Sequence, residues 1–289
     1  MTLAERALRG ILEGSPRTLL GRARLKAAIE TRALLLRRGD PLVRYRIGEI
    51  DLELPLSHEL PFYRKDHPLY SANVGRIAAE AGGPVVDIGA NVGDTAAIVR
   101  GATDVPILCV EGDDRFFAIL RRNSTRFDPP VELEHAFVGA PARAAIERHG
   151  GTARLVPGAG GEVRGKPLAR ILEEHPRFAA PALVKIDTDG YDVPIVLAEL
   201  DLLARLKPVL FFEYDPHLGA DPVVFERLRE IGYRTVHVYE NTGELARAAG
   251  LDEGAAIHAE YTGYRGARYA DVCVLAEAHE VREPVDGVL

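Results

Sequence analysis

Pro84-Val85-Val86-Asp87-Ile88-Gly89-Ala90-Asn91-Val92-Gly93-Asp94-Thr95 carries a short apolar, β-branched run into a turn holding two glycines, then into the helical stretch Ala96-Ala97-Ile98-Val99-Arg100. A strand that is apolar on both faces belongs in the middle of a sheet covered on both sides. Six more such runs follow at intervals: PILCVEG, VELEHAFVG, ALVKIDTDG, PVLFFEYD, RTVHVYE and DVCVLAE. They alternate with helical stretches, which implies right-handed crossovers in one doubly wound, mostly parallel α/β sheet of seven strands. The region His149 to Lys166 is Gly-rich and reads as a loop or a pair of short extra strands.

Upstream the pattern differs. Leu3, Ala7, Leu8, Ile11 and Leu12 fall on one helical face, and Gly14-Ser15-Pro16 ends that helix. A second helix, with Leu25, Ala28, Ile29 and Leu35 turned inward, ends at Gly39-Asp40-Pro41. LVRYRI and IDLEL alternate as a hairpin about Gly48-Glu49, PLSHELPFYRKDHP has no regular period, and a helix is expected over 69–81. The expected organisation is an extension over 1–80, a candidate substrate lid, and a nucleoside-binding domain over 81–289.

The bulk numbers bound the class. At 289 residues, 47% hydrophobic and 27% charged, the chain has the composition of a soluble globular protein. No apolar run reaches the roughly 18 residues that a membrane-spanning helix needs, and Glu5, Arg6 and Arg9 interrupt the start where a secretory signal would be apolar. Cys109 and Cys273 each sit inside an apolar run and read as buried thiols of a reduced, cytoplasmic protein. A net charge of −7 argues against a general nucleic-acid binder. Residues 1–38 nevertheless hold nine Lys/Arg against three Glu. Such basic helices pack on their own domain, pair with a second copy, or lie on an anionic membrane surface, and all three readings stay open.

Ligands of a doubly wound sheet bind where its strands end. At the first end, Gly89 and Gly93 allow a tight turn and close backbone approach, and the helix beginning near Thr95 offers free N–H groups. The spacing G-x-x-x-G differs from the G-x-G-x-x-G that cradles a pyrophosphate, which fits a cofactor without phosphate; a purely structural turn is the alternative. At the second end stands Glu111, followed by Gly112, placed to accept hydrogen bonds from both ribose hydroxyls or, more blandly, a solvated acid. At the next, Lys185 lies mid-strand on the face it shares with Asp187, so Asp87 or Glu213 is its expected partner. Phe212-Glu213-Tyr214-Asp215-Pro216-His217 closes the strand after that.

Taken together, DIGANVGDT, CVEGDD, VKIDTDGYD and FFEYDP resemble the FkbM-type methyltransferases over roughly residues 84–240. The resemblance implies a class I methyltransferase fold, S-adenosylmethionine as donor, and O-methylation in sugar, polysaccharide, glycolipid or polyketide chemistry. It places Asp87, Gly89, Asn91 and Gly93 around the methionine part of the donor, Glu111 on its ribose, Ala136 and Phe137 against adenine, and Asp187 facing the methyl. Many relatives carry Glu where this chain has Asp189. An alcohol needs its proton removed to attack, and Asp187, Glu213, His217 and His58 are the candidate bases, Asp187 or His217 being preferred. A divalent Mg or Ca ion held by Asp187, Asp189, Glu213 and Asp215 is a second route. Phe62, Tyr63, Tyr191 and Tyr214 offer faces on which a sugar stacks. The competing functions are a nicotinamide-dependent oxidoreductase and a non-catalytic binding protein on the same fold.

Overall fold

The computed structural model describes residues 1–139, 143–157, 161–163, 165–263 and 269–276; positions 158–160 and 164 of the Gly-rich stretch, and the last residues of the 81–289 region, fall outside them. Helices α1 (Leu3–Leu12) and α2 (Leu19–Arg38) precede a hairpin of β1 (Leu42–Ile47) and β2 (Ile50–Pro55), then α3 (Leu60–Asp66) and α4 (Ala72–Ala81). The alternation begins with β3 (Val85–Ile88), α5 (Asp94–Ala102), β4 (Ile107–Glu111), α6 (Asp114–Asn123) and β5 (Glu132–His135). An insertion follows, comprising β6 (Phe137–Val138), β7 (Arg143–His149), β8 (Thr152–Pro157), β9 (Gly161–Glu162) and β10 (Gly165–Lys166). Then come α7 (Leu168–Glu174), β11 (Leu183–Ile186), α8 (Asp192–Ala198), α9 (Leu200–Leu206), β12 (Val209–Tyr214) and α10 (Val223–Glu230). The described chain ends through β13 (Tyr233–Glu240), β14 (Leu245–Gly250), α11 (Gly254–Thr262) and β15 (Ala270–Ala276).

The main sheet has the order β14-β13-β15-β12-β11-β3-β4-β5. Neighbours from β12 to β5 pair in parallel, whereas β15 runs antiparallel to both β12 and β13. Seven of these strands were expected, with one antiparallel among the last. The eighth, β14, pairs antiparallel with the outer edge of β13. Its Leu-Ala-Arg-Ala-Ala-Gly has no β-branched or aromatic residue, so composition hides a strand that pairing with β13 enforces.

Strand alternation sorts the core into two buried clusters. Val86, Ile88, Val110, Val184, Ile186 and Phe212 meet α7, α8, α10 and α11 on one face. Val85, Cys109, Leu183 and Phe211 meet α4, α5, α6, α1 and the β1–β2 hairpin on the other. Both cysteines are free and buried, as expected. One register row crosses the second face as Cys109, Asp87, Lys185, Phe211, Cys273, and the only charges in that row sit side by side at its centre.

The N-terminal elements follow the sequence in part. Thr2 and Glu5 form a reciprocal capping box on α1, and Ala4, Ala7 and Leu8 are buried, but Leu3 is exposed. Residues of α2 expected inward are not buried, and Ile29 is half exposed, because the apolar side chains of α2 are spread around the helix rather than gathered on one face. Gly10 lets α1 approach Ala28 of α2, since a Cβ there would stand 2.9 Å from the alanine methyl. The aperiodic 55–68 stretch contains α3, started by Pro61 in its first turn, where a missing N–H costs nothing. Among the described residues no helix is long and apolar enough to cross a membrane.

Fully buried Asn123, at the end of α6, joins three elements. Its Oδ1 accepts the Glu53 N–H at 2.8 Å, and its Nδ2 donates to Glu53 O and to Val92 O in the glycine turn, both at 2.8 Å. Asn123→Ala strands buried backbone groups and is expected to lower stability by about 2–4 kcal/mol, read from urea unfolding.

Candidate functional site

The carboxyl ends of β3, β4 and β11 enclose a narrow slot of about 50 Å³ lined by Gly89, Asn91, Glu111, Gly112, Ala136, Phe137, Asp187 and Asp189, among others. A second cavity of about 250 Å³ shares Gly89, Asn91, Asp187 and Asp189 with it. The cavity continues to Asp94, Thr95, Lys185 and Glu213 and to the N-terminal residues His58, Glu59, Leu60, Tyr63 and Tyr70. The two spaces therefore meet along Gly89, Asn91, Asp187 and Asp189.

Two turns build this junction with left-handed backbone, 89–93 after β3 and 187–190 after β11. Gly89 (φ +78°) brings β3 against β11, and a Cβ on it would overlap the Asp187 carbonyl oxygen at 1.8 Å. Asn91 adopts φ +49° and Asp189 φ +53°, a region that Asn and Asp tolerate better than most residues. Gly93 (φ +92°) caps α5 beneath Leu120 and Phe127 and lines neither space, so it shapes the turn rather than the surface. The 187–190 turn is held by fully buried Asp192, whose Oδ2 accepts from Thr188 N–H, Thr188 Oγ1 and Gly190 N–H. Burial pushes the Asp192 carboxyl up to about 7.

Glu111 is buried inside the slot. Its Oε2 accepts the Asn91 N–H at 2.8 Å and its Oε1 the Asp113 N–H at 2.7 Å, which leaves each oxygen a further lone pair. Burial pushes its carboxyl up to about 7 against the pull of those N–H groups. Phe137 packs over Gly112 so closely that a Cβ there would lie 2.2 Å from the ring. Val138, Leu155 and Ile195 complete an apolar wall, and among the described residues no lysine or arginine lines the slot.

Lys185 has the partner expected of it. Its Nζ stands 3.1 Å from Asp87 Oδ1 and 3.4 Å from Asp187 Oδ2, with Lys185 4% and Asp87 0% exposed. Burial alone would strip the ammonium of its proton, but Asp187, Asp87 and Asp94 hold it more firmly than a free lysine's. Asp87 is thus sealed beneath the site and lines neither space, while its Oδ2 has no hydrogen-bond partner among the described residues.

Other sequence candidates separate here. His217 is exposed on the turn after β12 and lines neither space, and Asp215 accepts its N–H at 2.8 Å as a local cap. Neither meets Asp187 and Asp189, and among the described residues no group of three or more His, Cys, Asp or Glu is set to hold a metal ion. His58 is buried. Its Nδ1 accepts the Leu60 N–H, which leaves Nε2 to donate toward Asn91 Oδ1 at 3.4 Å, and burial lowers its proton affinity to a pKa of about 4. Tyr63 and Tyr191 reach the two spaces, but Phe62 does not, and Tyr214 alternates to the core face, where its hydroxyl meets His258 Nδ1 at 2.8 Å.

Sequence reading reached part of the insertion: the Gly-rich 149–166 stretch does hold the short strands β8, β9 and β10, as one of its two readings had it, but β6, β7 and the hairpin were missed. β7 and β8 form a hairpin about Gly150-Gly151, both at positive φ. The tip is fastened from two sides: Gly150 O accepts the Glu59 N–H at 2.9 Å and Gly151 O accepts Asn91 Nδ2 at 2.8 Å. Ala153 and Leu155 of β8 thereby roof the slot. The paired glycines at 150 and 151 were the available signal, a two-residue turn between alternating runs.

No protein-family model matches the chain, and no curated protein does. Among solved structures, the METTL16 MTase domain aligns over 96% of this chain and 92% of that one, with TM-score 0.50 and 15% identity. The fold is that of the class I methyltransferases. Methyltransferase FkbM from Methylobacillus flagellatus KT aligns over 53% of this chain and 38% of that one, with TM-score 0.36 and 16% identity, which does not establish membership of its family. The tRNA (uracil-54, C5)-methyltransferase of Pyrococcus abyssi, solved with S-adenosyl-L-homocysteine, aligns over 82% and 45%, with TM-score 0.41 and 13% identity.

Proposed function

We propose that this protein is an S-adenosylmethionine-dependent O-methyltransferase acting on a hydroxyl of a small sugar-, polysaccharide-, glycolipid- or polyketide-type acceptor. The observation that carries the reading is Glu111, a buried carboxylate with spare lone pairs inside a slot that has no basic residue among the described ones that line it. A ribose diol satisfies such an acid, whereas a dinucleotide pyrophosphate meets Glu111, Asp187 and Asp189 with no cation among the described lining residues to offset its charge, which disfavours a nicotinamide cofactor.

The residues fit the donor. Glu111 holds the diol, the apolar wall of Phe137, Val138, Leu155 and Ile195 takes the adenine, and the turn at Gly89 admits the chain close to backbone. S-adenosylmethionine supplies a methyl group whose carbon–sulfur bond breaks, its electron pair passing to sulfur, as the acceptor oxygen bonds the carbon. Asp187, among the residues where the two spaces meet, takes the hydroxyl proton, and the larger cavity with its N-terminal wall seats the acceptor. Alignment of these groups is the main contribution to rate.

The test is calorimetry and thermal shift with S-adenosylhomocysteine and with NAD. S-adenosylhomocysteine raises the melting temperature and NAD does not; a shift with NAD alone supports the oxidoreductase, and none with either supports a binding protein without this donor. The binding also has a pH signature. Glu111 accepts from the diol best when ionised, so affinity rises with pH and levels above about 7. At pH 6 it is about tenfold weaker than at pH 8, and Glu111→Gln flattens that dependence.

A further inference from the structure

Five carboxylates line the larger cavity: Glu59, Asp94, Asp187, Asp189 and Glu213. Among the described residues the lining has a single fixed cation, Lys185, already held between Asp87 and Asp187. Arg64 and Arg154 act on Asp94 and Asp189 only from outside the lining. Asp271, the register partner of Glu213 on β15, adds a further acid behind the wall. A donor sulfonium next to Asp187 offsets one of these acids and leaves the others without a cation, so that burial and their mutual repulsion raise the proton affinity of Asp94, Asp189 and Glu213.

Glu213 is the independent observation. It is half-buried, lines the cavity, and has no hydrogen-bond or ion-pair partner among the described residues. Leaving a carboxylate in such a place costs free energy unless a ligand pairs with it. Around it stand Tyr63, Tyr70 and Tyr269, with Tyr63 and Tyr70 edge to face at 4.8 Å between ring centres. Aromatic faces attract cations and also stack on sugar rings.

We infer that the acceptor carries a positive charge: an amino-bearing, hydroxyl-rich ring whose ammonium pairs with Glu213 while a ring hydroxyl faces Asp187. The inference rests on the methyltransferase reading but deepens it, because an uncharged sugar leaves Glu213 unpaired and an acidic one is repelled. It makes Glu213 the residue that sets acceptor class.

The experiment titrates the full chain, saturated with S-adenosylhomocysteine, with glucosamine in its protonated form, N-acetylglucosamine, glucose and MgCl2 by calorimetry. Glucosamine binds about tenfold or more tighter than either neutral sugar, and Glu213→Gln removes that preference. Retained S-adenosylhomocysteine binding by the variant shows that it is folded. Equal binding of charged and neutral sugars, no binding of any, a preference that survives Glu213→Gln, or heat released by MgCl2 alone overturns the inference. Failure of S-adenosylhomocysteine to bind in the first place instead overturns the donor assignment.

Discussion

Lys185→Met is expected to lower the stability of the protein by about 3–5 kcal/mol, enough to abolish folding of a domain of ordinary stability. The ammonium lies at the centre of the sheet row Cys109-Asp87-Lys185-Phe211, 3.1 Å from a carboxylate with no exposed surface. Removing it leaves Asp87 as a buried anion whose Oδ2 already lacks a partner. Burial raises the Asp87 proton affinity, and Lys185 is the first counterweight to it. In the single variant that counterweight is gone, so folded Asp87 stays protonated to higher pH than unfolded Asp87. The deficit is therefore smallest in acid and widens as pH rises through the raised value. Lys185→Met combined with Asp87→Leu recovers most of the loss, since an apolar pair of similar volume pays no charge desolvation. Urea unfolding followed by circular dichroism at several pH values measures all three. A single variant as stable as the parent would mean that the pair contributes nothing.

The second large effect is on binding. Glu111→Ala is expected to weaken S-adenosylhomocysteine by about 3–6 kcal/mol, a loss of a hundredfold or more, by removing two charge-assisted hydrogen bonds to the ribose diol. The same change frees the Asn91 and Asp113 N–H groups, so part of the loss passes through the glycine turn. Glu111→Gln separates the contributions. Its amide oxygen keeps one acceptor for the turn while the charge is gone, and its affinity falls between those of parent and Glu111→Ala. Unchanged affinity in Glu111→Ala, with an unaltered far-ultraviolet spectrum, would remove the diol role and the donor assignment with it.

Much of this architecture can be read from the chain because buried parallel strands are written in uninterrupted apolar runs. β3, β4, β11 and β12 each announce themselves, and the polar residue closing each run marks the site edge: Glu111 after Val110, Asp187 after Ile186. Alternation narrows the partner of Lys185 to Asp87 or Glu213, and the register of β11 on β3 decides for Asp87. What escapes is set by tertiary context. Tyr214 and His217 stand three residues apart, yet one is sealed in the core and the other is exposed, because the strand ends between them. Asn123 looks like any helix-end polar residue until β2 and the glycine turn are brought to it. Ala153 and Leu155 roof the slot only because the hairpin folds back onto Asn91 and Glu59. Short-range periodicity contains none of these distances.

The two flanks of the main sheet have a bearing on assembly. On one flank β14 covers β13 and carries half-buried Arg247, engaged with Glu253 and Glu260. On the other, β5 presents Glu132 and Glu134, tied to His175 and Lys166. Ribbon-to-ribbon joining of two molecules would have to break these charged ties or bury them, a penalty that protects the solution state from uncontrolled stacking. Edge-to-edge pairing is thus disfavoured on both flanks, and the rim where the strands terminate lies clear of any such contact.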